Sequence, residues 1–221
     1  MTGIRLGLPV ILLFIGSSRS DSTENVVSAN VPFEDNPQYD CYQYAEDALN
    51  ITGKIYVIVQ NFNSTLPPLC DSAEVVKREN NTYYVATLAA VIPILNRTLV
   101  KFNTSLVLSK TGNHSKYNAM TYKYTTQEPP KLRKLMYLSP SNECMIFVDD
   151  RNSTDQARCQ LLMPWNHANY SIPEDCQAVY NSSCAGKEQL RVYHPWCQSL
   201  PEIPLEVLMK RLNTTPAPAQ C

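Results

Sequence analysis

Glycine is scarce in this chain, with six residues among 221. Nothing in the sequence matches a GxxxxGK[ST] phosphate loop, a GxGxxG dinucleotide turn or a GxSxG nucleophile elbow. Six glycines against 16 prolines also exclude collagen and a glycine-rich linker. Histidine is scarcer still. None of the three residues (His114, His167, His194) forms a helical HxxxH pair or stands at zinc-ligand spacing from a cysteine. His114 follows Asn113 in a glycosylation motif and is expected at the surface. An excess of positive charge is missing too: 19 Lys and Arg face 20 Asp and Glu, which argues against nucleic acid as a partner. The longest apolar run, near residues 6–15, falls short of the roughly 20 residues that cross a bilayer. Adjacent carboxylates at Glu46-Asp47 and Asp149-Asp150 are expected on a solvated surface, because neighbours on a strand face opposite ways and do not share one proton. No catalytic group, metal site or cofactor is expected, so the chain is not read as an enzyme.

Cysteine and asparagine, by contrast, are abundant. Eight cysteines point to an oxidising compartment. Residues 1–20 read as a secretory signal peptide, with Arg5, a short apolar core and small residues for cleavage after Ser20. Ten of 18 asparagines open an Asn-x-Ser/Thr motif: Asn50, Asn63, Asn80, Asn96, Asn103, Asn113, Asn152, Asn169, Asn181 and Asn213. Chance predicts about 2.6, so the chain is expected to be secreted and heavily glycosylated.

Hydrophobic residues make up 44% of the chain, which excludes a mainly disordered protein. Residues 21–37 lack periodicity and are expected to stay loose. Tyr42, Ala45 and Leu49 stand at helical spacing and predict a short helix over 38–50. From residue 54 the period becomes two. Strands are predicted over 54–60, 73–77, 82–91, 97–102, 105–110, 120–126, 135–138, 144–149 and 157–163. The basic cluster Lys131-Leu132-Arg133-Lys134 reads as a soluble loop. A helix over 172–180, with Ser171 as N-cap and Pro173 in its first turn, precedes another over 205–212. A Pro/Ala tail follows. Many short strands at regular spacing predict an all-β barrel or sandwich in a single domain.

Side-chain direction follows from the period of two. Lys54 and Gln60 outward turn Ile55, Val57 and Val59 inward. Lys101 and a glycosylated Asn103 outward turn Val100 and Phe102 inward. Lys123 outward turns Tyr122 and Tyr124 inward. These side chains either fill a core or line an apolar cavity with a few hydroxyls.

Several stretches resemble the tick salivary lipocalins, the tick histamine-binding protein family. They are Tyr42–Leu49 with Ile55-Tyr56-Val57-Ile58-Val59, Leu69-Cys70-Asp71-Ser72-Ala73, and Tyr83-Tyr84-Val85-Ala86-Thr87-Leu88. Further on come Cys144-Met145-Ile146, Cys159-Gln160-Leu161-Leu162, Pro173-Glu174-Asp175-Cys176, and Val192-Tyr193 before Cys197. The likeness covers residues 38–200. It implies an eight-stranded antiparallel lipocalin-type barrel, with a short N-terminal helix, a helix packed near the C-terminus and a ligand cavity. Amine binders of this family carry a Cys-Asp-aliphatic stretch, then Glu-Leu-aromatic, then a Cys. Here Met145 replaces the aspartate, Gln160 the glutamate and Leu162 the aromatic. A buried ammonium loses its counter-ion by these changes, so the resemblance implies a hydrophobic ligand such as an eicosanoid, fatty acid or sterol. Capture of histamine or serotonin is the alternative, with Glu46, Asp47 or Asp71 as a substitute carboxylate. A protein-binding inhibitor of complement or immune cells is another. The expected role is sequestration of a small host mediator by a monomer. The resemblance also implies disulfides Cys70–Cys197 and Cys144–Cys176. Cys41, Cys159, Cys184 and Cys221 allow three pairings, and sequence does not choose among them.

Overall fold

The computed structural model describes residues 31–64, 67–95, 97–152, 155–184 and 189–214. The leader, Asn96, Cys221 and the Pro/Ala tail lie outside them. Two 3-10 turns, Phe33–Asp35 and Pro37–Tyr42, lead into helix α1 (Ala45–Leu49). Eight strands follow: β1 (Ile55–Gln60), β2 (Ser72–Arg78), β3 (Tyr83–Val91), β4 (Leu99–Ser109), β5 (Ala119–Tyr122), β6 (Lys131–Leu138), β7 (Met145–Asp149) and β8 (Cys159–Pro164). Helix α2 (Glu174–Ser183), strand β9 (Leu190–Arg191), a 3-10 turn at Pro195–Ser199, strand β10 (Glu202–Pro204) and helix α3 (Leu205–Thr214) complete the chain. Each of β1 to β8 pairs antiparallel with the next, and β8 pairs back to β1. The ring is a closed eight-stranded antiparallel barrel.

Alternation along the strands sorts the apolar residues into two layers. Val57, Leu106, Leu108, Leu135, Met145, Phe147 and Leu162 pack inside the ring, against Ala45 and Ala48 of α1 at one end. Ile58, Ile146, Val148, Leu161 and Met163 face the other way, towards Cys176 and Tyr180 of α2. Helix α2 opens at Pro173 rather than Ser171, and Glu174 and Asp175 sit at the positive end of its dipole. Three disulfides tie these layers together: Cys70–Cys197, Cys144–Cys176 and Cys159–Cys184. The third is the pairing that sequence left open, and Cys41 is a free, exposed thiol.

Several elements differ from expectation. The strands predicted over 97–102 and 105–110 are one strand, β4, because Asn103 and Thr104 keep pairing with β3. The basic cluster at 131–134 is no loop; it opens β6, where Arg133 is 1% exposed and Lys134 pairs with Asp35 at 3.0 Å and Asp150 at 3.1 Å. Burial alone disfavours the Lys134 ammonium, but these two carboxylates hold its pKa up. The segment expected to be loose is ordered where described: Glu34 is fully buried against Arg151, 2.8 Å from its Nε. His114 is buried rather than exposed. Asn113 stays at the surface, while the turn at Gly112 (φ 57°) returns the imidazole to the fold, between the Thr111 carbonyl and Gln43.

One edge of β4 is shared. Its last residues, Val107 to Ser109, pair with β5, and its first three, Leu99 to Lys101, pair in parallel with β10. Glu202 of β10 binds both Lys54 and Lys101, the latter at 2.7 Å. These two hydrogen-bonded ammonium groups outweigh partial burial and lower the Glu202 pKa. The C-terminal strand is thus clasped across the flank of the barrel.

Candidate functional site

Inside the ring lies a cavity of about 380 Å³. Its walls include Ile55 and Val57 of β1, Val100 and Phe102 of β4, Tyr122 of β5, Tyr124 beyond it, Met145 of β7, and Gln160 and Leu162 of β8. The first six are residues that alternation turns inward, and the last three are those the family resemblance singles out. Alternation fails for Val59. A bulge lies between Val57 and Val59, so Val59 pairs with Leu161 and packs on the outer layer. The same bulge turns Gln60 inward, opposite Gln160, where it is 1% exposed. Strand-period reasoning assumes an unbroken ladder, and one extra residue inverts it.

The lining is mainly aliphatic, with Ala86, Leu88, Ala90, Leu106 and Leu205 among its other members. Two polar clusters interrupt it. At the first, Arg133 of β6 enters from the position opposite Asp149 of β7. Its Nη1 donates to Gln160 Oε1 at 2.7 Å and to the Tyr122 hydroxyl at 3.3 Å. Its Nη2 donates to the Phe147 carbonyl at 3.3 Å, and its Nε lies 3.2 Å from Asp149 Oδ1. Gln160 donates in turn to Gln60 Oε1 at 2.8 Å. The guanidinium lies near the rings of Tyr124 and Phe147, at 5.2 and 5.8 Å. Asp149 is not a solvated carboxylate, as expected from sequence, but the partner of both Arg133 and Arg158. Asp150 faces away, towards Lys134.

The second cluster is acidic. Asp71 and Glu74 line the wall at β2, which stands diametrically opposite β6 in the ring of eight. Burial pushes the Asp71 carboxyl up to about 6, against a weaker opposing effect from the Leu69 backbone. Glu46 and Asp47, the other substitute carboxylates, do not line the cavity.

Sequence reasoning missed Arg133 and Gln60. A signal for Arg133 existed: it stands two residues before Leu135, so a period of two carried back along β6 turns both side chains the same way. All described glycosylation motifs keep their asparagine at the surface: Asn50, Asn63, Asn80, Asn103, Asn113, Asn152, Asn169, Asn181 and Asn213 are exposed. Among the described residues no helix is long and apolar enough to cross a membrane.

A closed eight-stranded antiparallel barrel, with an internal cavity and a helix packed on its wall, defines a lipocalin. The family model for tick histamine binding protein matches residues 33–199, and the chain belongs to that family. No curated protein sequence matches it. Among solved structures, a serotonin complex of AM182 shares 12% identity, covers 71% of this chain and 94% of its own, and superposes with a TM-score of 0.55. Insecticyanin from the tobacco hornworm Manduca sexta shares 9%, covers 74% and 89%, and gives 0.53. Japanin from Rhipicephalus appendiculatus, bound to cholesterol, shares 13%, covers 66% and 93%, and gives 0.47. At these identities the likeness is one of fold.

Proposed function

We propose that this protein is a secreted lipocalin that sequesters a small, mainly apolar host mediator in its barrel, at a site of tick feeding, without chemical conversion. The observation that carries this reading is the pairing of Gln160 with Arg133. Where amine binders of the family carry a glutamate, this chain has a neutral amide held by a buried guanidinium. A ligand ammonium at that end would meet a cation instead of a counter-ion, and an unpaired buried charge costs several kcal/mol. Amine capture is the competing reading, and this arrangement weighs against it. The aliphatic walls supply affinity by burial, at roughly 25 cal/mol per Å² of apolar surface removed from water. Many exposed glycosylation motifs and three disulfides suit an extracellular life.

Native mass spectrometry of the protein secreted from insect cells tests the reading. We expect a co-purifying apolar molecule, or uptake of added lipids. Phe102→Asp places a charge in the wall and should abolish uptake while the barrel remains folded by circular dichroism. Retained uptake in that variant, or an empty protein that takes up histamine but no lipid, would refute the reading.

A further inference from the structure

The polar end of the cavity is built almost wholly of donors. Arg133 has five N–H hydrogens. Three are donated to Gln160, Tyr122 and the Phe147 carbonyl, and Nε, ion-paired with Asp149 at 3.2 Å, makes no hydrogen bond. The fifth, on Nη2, has no acceptor among the described residues. Tyr122 accepts from Arg133, so its own O–H hydrogen is left to donate, and it too meets no acceptor among them. Gln160 spends one Nε2 hydrogen on Gln60 and keeps the other. Its Oε1 and that of Gln60 are both already accepting. Besides the Nε hydrogen beside Asp149, three donor hydrogens therefore remain, on residues that all line the cavity.

Charge at this end has a sign as well. Asp149 is a single carboxylate between two guanidiniums, 3.2 Å from Arg133 Nε and 3.1 Å from Arg158 Nε. The cluster carries one positive charge in excess, and Arg133 holds its share at 1% exposure. Opposite it, the β2 wall presents Asp71 and Glu74. A negative head at that wall would be repelled, and at the Arg133 wall it would be matched.

Taking the apolar-ligand reading as its basis, we propose that Arg133, Tyr122 and Gln160 form a docking site for the carboxylate of an apolar acid. The carboxylate accepts from Arg133 Nη2, the Tyr122 hydroxyl and Gln160 Nε2. The hydrocarbon then extends along Phe102, Leu88 and Leu162. The Asp149–Arg133 contact stays in place, because it uses Nε and leaves the Nη2 side to the ligand. Charge-assisted hydrogen bonds of this kind are the strong ones, and an ammonium in the same place would face the Arg133 guanidinium.

Calorimetric titration of the whole secreted protein with decanoic acid, methyl decanoate and decylamine at pH 7.5 tests the site. The three probes share a chain and differ in the head. We expect the acid to bind about tenfold or more tighter than either the ester or the amine. Arg133→Lys keeps the charge but loses the planar fork, and Tyr122→Phe removes one free donor. Each should lower affinity for the acid severalfold and leave the amine unchanged. Equal affinity for acid and amine, or a preference for the acid that survives in both variants, overturns the docking site while leaving the apolar cavity standing. Failure of all three probes to bind overturns both.

Discussion

Asp71 is the residue whose protonation the fold alters most directly at the cavity. Its carboxyl ordinarily titrates near 3.8, and burial raises it to about 6. The folded chain therefore holds this proton more tightly than the unfolded chain does. Stability linked to Asp71 is full below about pH 4 and is lost as pH climbs through about 6. A tenfold change in proton affinity corresponds to about 1.4 kcal/mol. Asp71→Asn removes the cost of ionisation, so the variant should gain about 2–3 kcal/mol over the parent at pH 7 and nothing at pH 4. Urea denaturation at the two pH values checks this, and an equal gain at both would refute it. The residue scale is also where sequence was least legible. Ile55, Val57, Phe102 and Tyr122 could be turned inward by alternation alone, and Met145, Gln160 and Leu162 were marked by the family pattern. Val59 and Gln60 were misplaced, because nothing in Ile55-Tyr56-Val57-Ile58-Val59-Gln60 marks the bulge. Arg133 was hidden for another reason: a charged residue among charged neighbours looks solvated until a partner strand supplies Asp149.

Among the elements, β10 and its clasp govern the flank of the barrel. Glu202 joins Lys54, just before β1, to Lys101 of β4, and Leu205 immediately after β10 lines the cavity. Its carboxyl is held below its ordinary pKa by the two ammonium groups. The clasp is complete above the unfolded-state pKa and is lost as pH falls through the lowered folded value. Glu202→Gln should leave the ring intact and loosen the strap. Amide hydrogen exchange at 202–208 should quicken by about fivefold at pH 7 while that of β6 and β7 stays unchanged. Equal exchange in parent and variant would remove the clasp from the account. Strand existence was largely legible here, since each of the eight barrel strands overlaps a predicted one, although β4 was divided in two and the first half of β6 was read as a loop. Their pairing with a distant C-terminal segment was not, because three residues of parallel strand leave no periodic signature.

At the scale of the whole molecule, the outer cover of the barrel is uneven. Helix α2 and residues 33–42 pack over β6, β7 and β8. On the outward side of β3 and β4 the described residues include α3, which meets β4, and Asn103 stands exposed in mid-strand, accepting from Thr87 Oγ1 at 2.7 Å. We expect a glycan at this position to shield the strand face beside it. Asn103→Gln should lower the secreted yield and raise aggregation, whereas Asn213→Gln on α3 should leave both unchanged. Light scattering of the two secreted variants distinguishes them, and identical behaviour would refute the role. The family itself was legible as a whole from the order of its cysteines and strands, and the third disulfide was fixed only when β8 and the end of α2 were brought together.

The strap along β4 has a consequence for the order of manufacture. Every other wall of the cavity ends by Leu162, yet Leu205 lies beyond the last disulfide-bonded cysteine described, Cys197. A nascent chain emerging from the ribosome can close its ring of eight strands while this side is still unbuilt. During that interval the cavity lacks the part of its wall that Leu205 supplies. The cavity therefore reaches its final shape only after β10 is laid along β4.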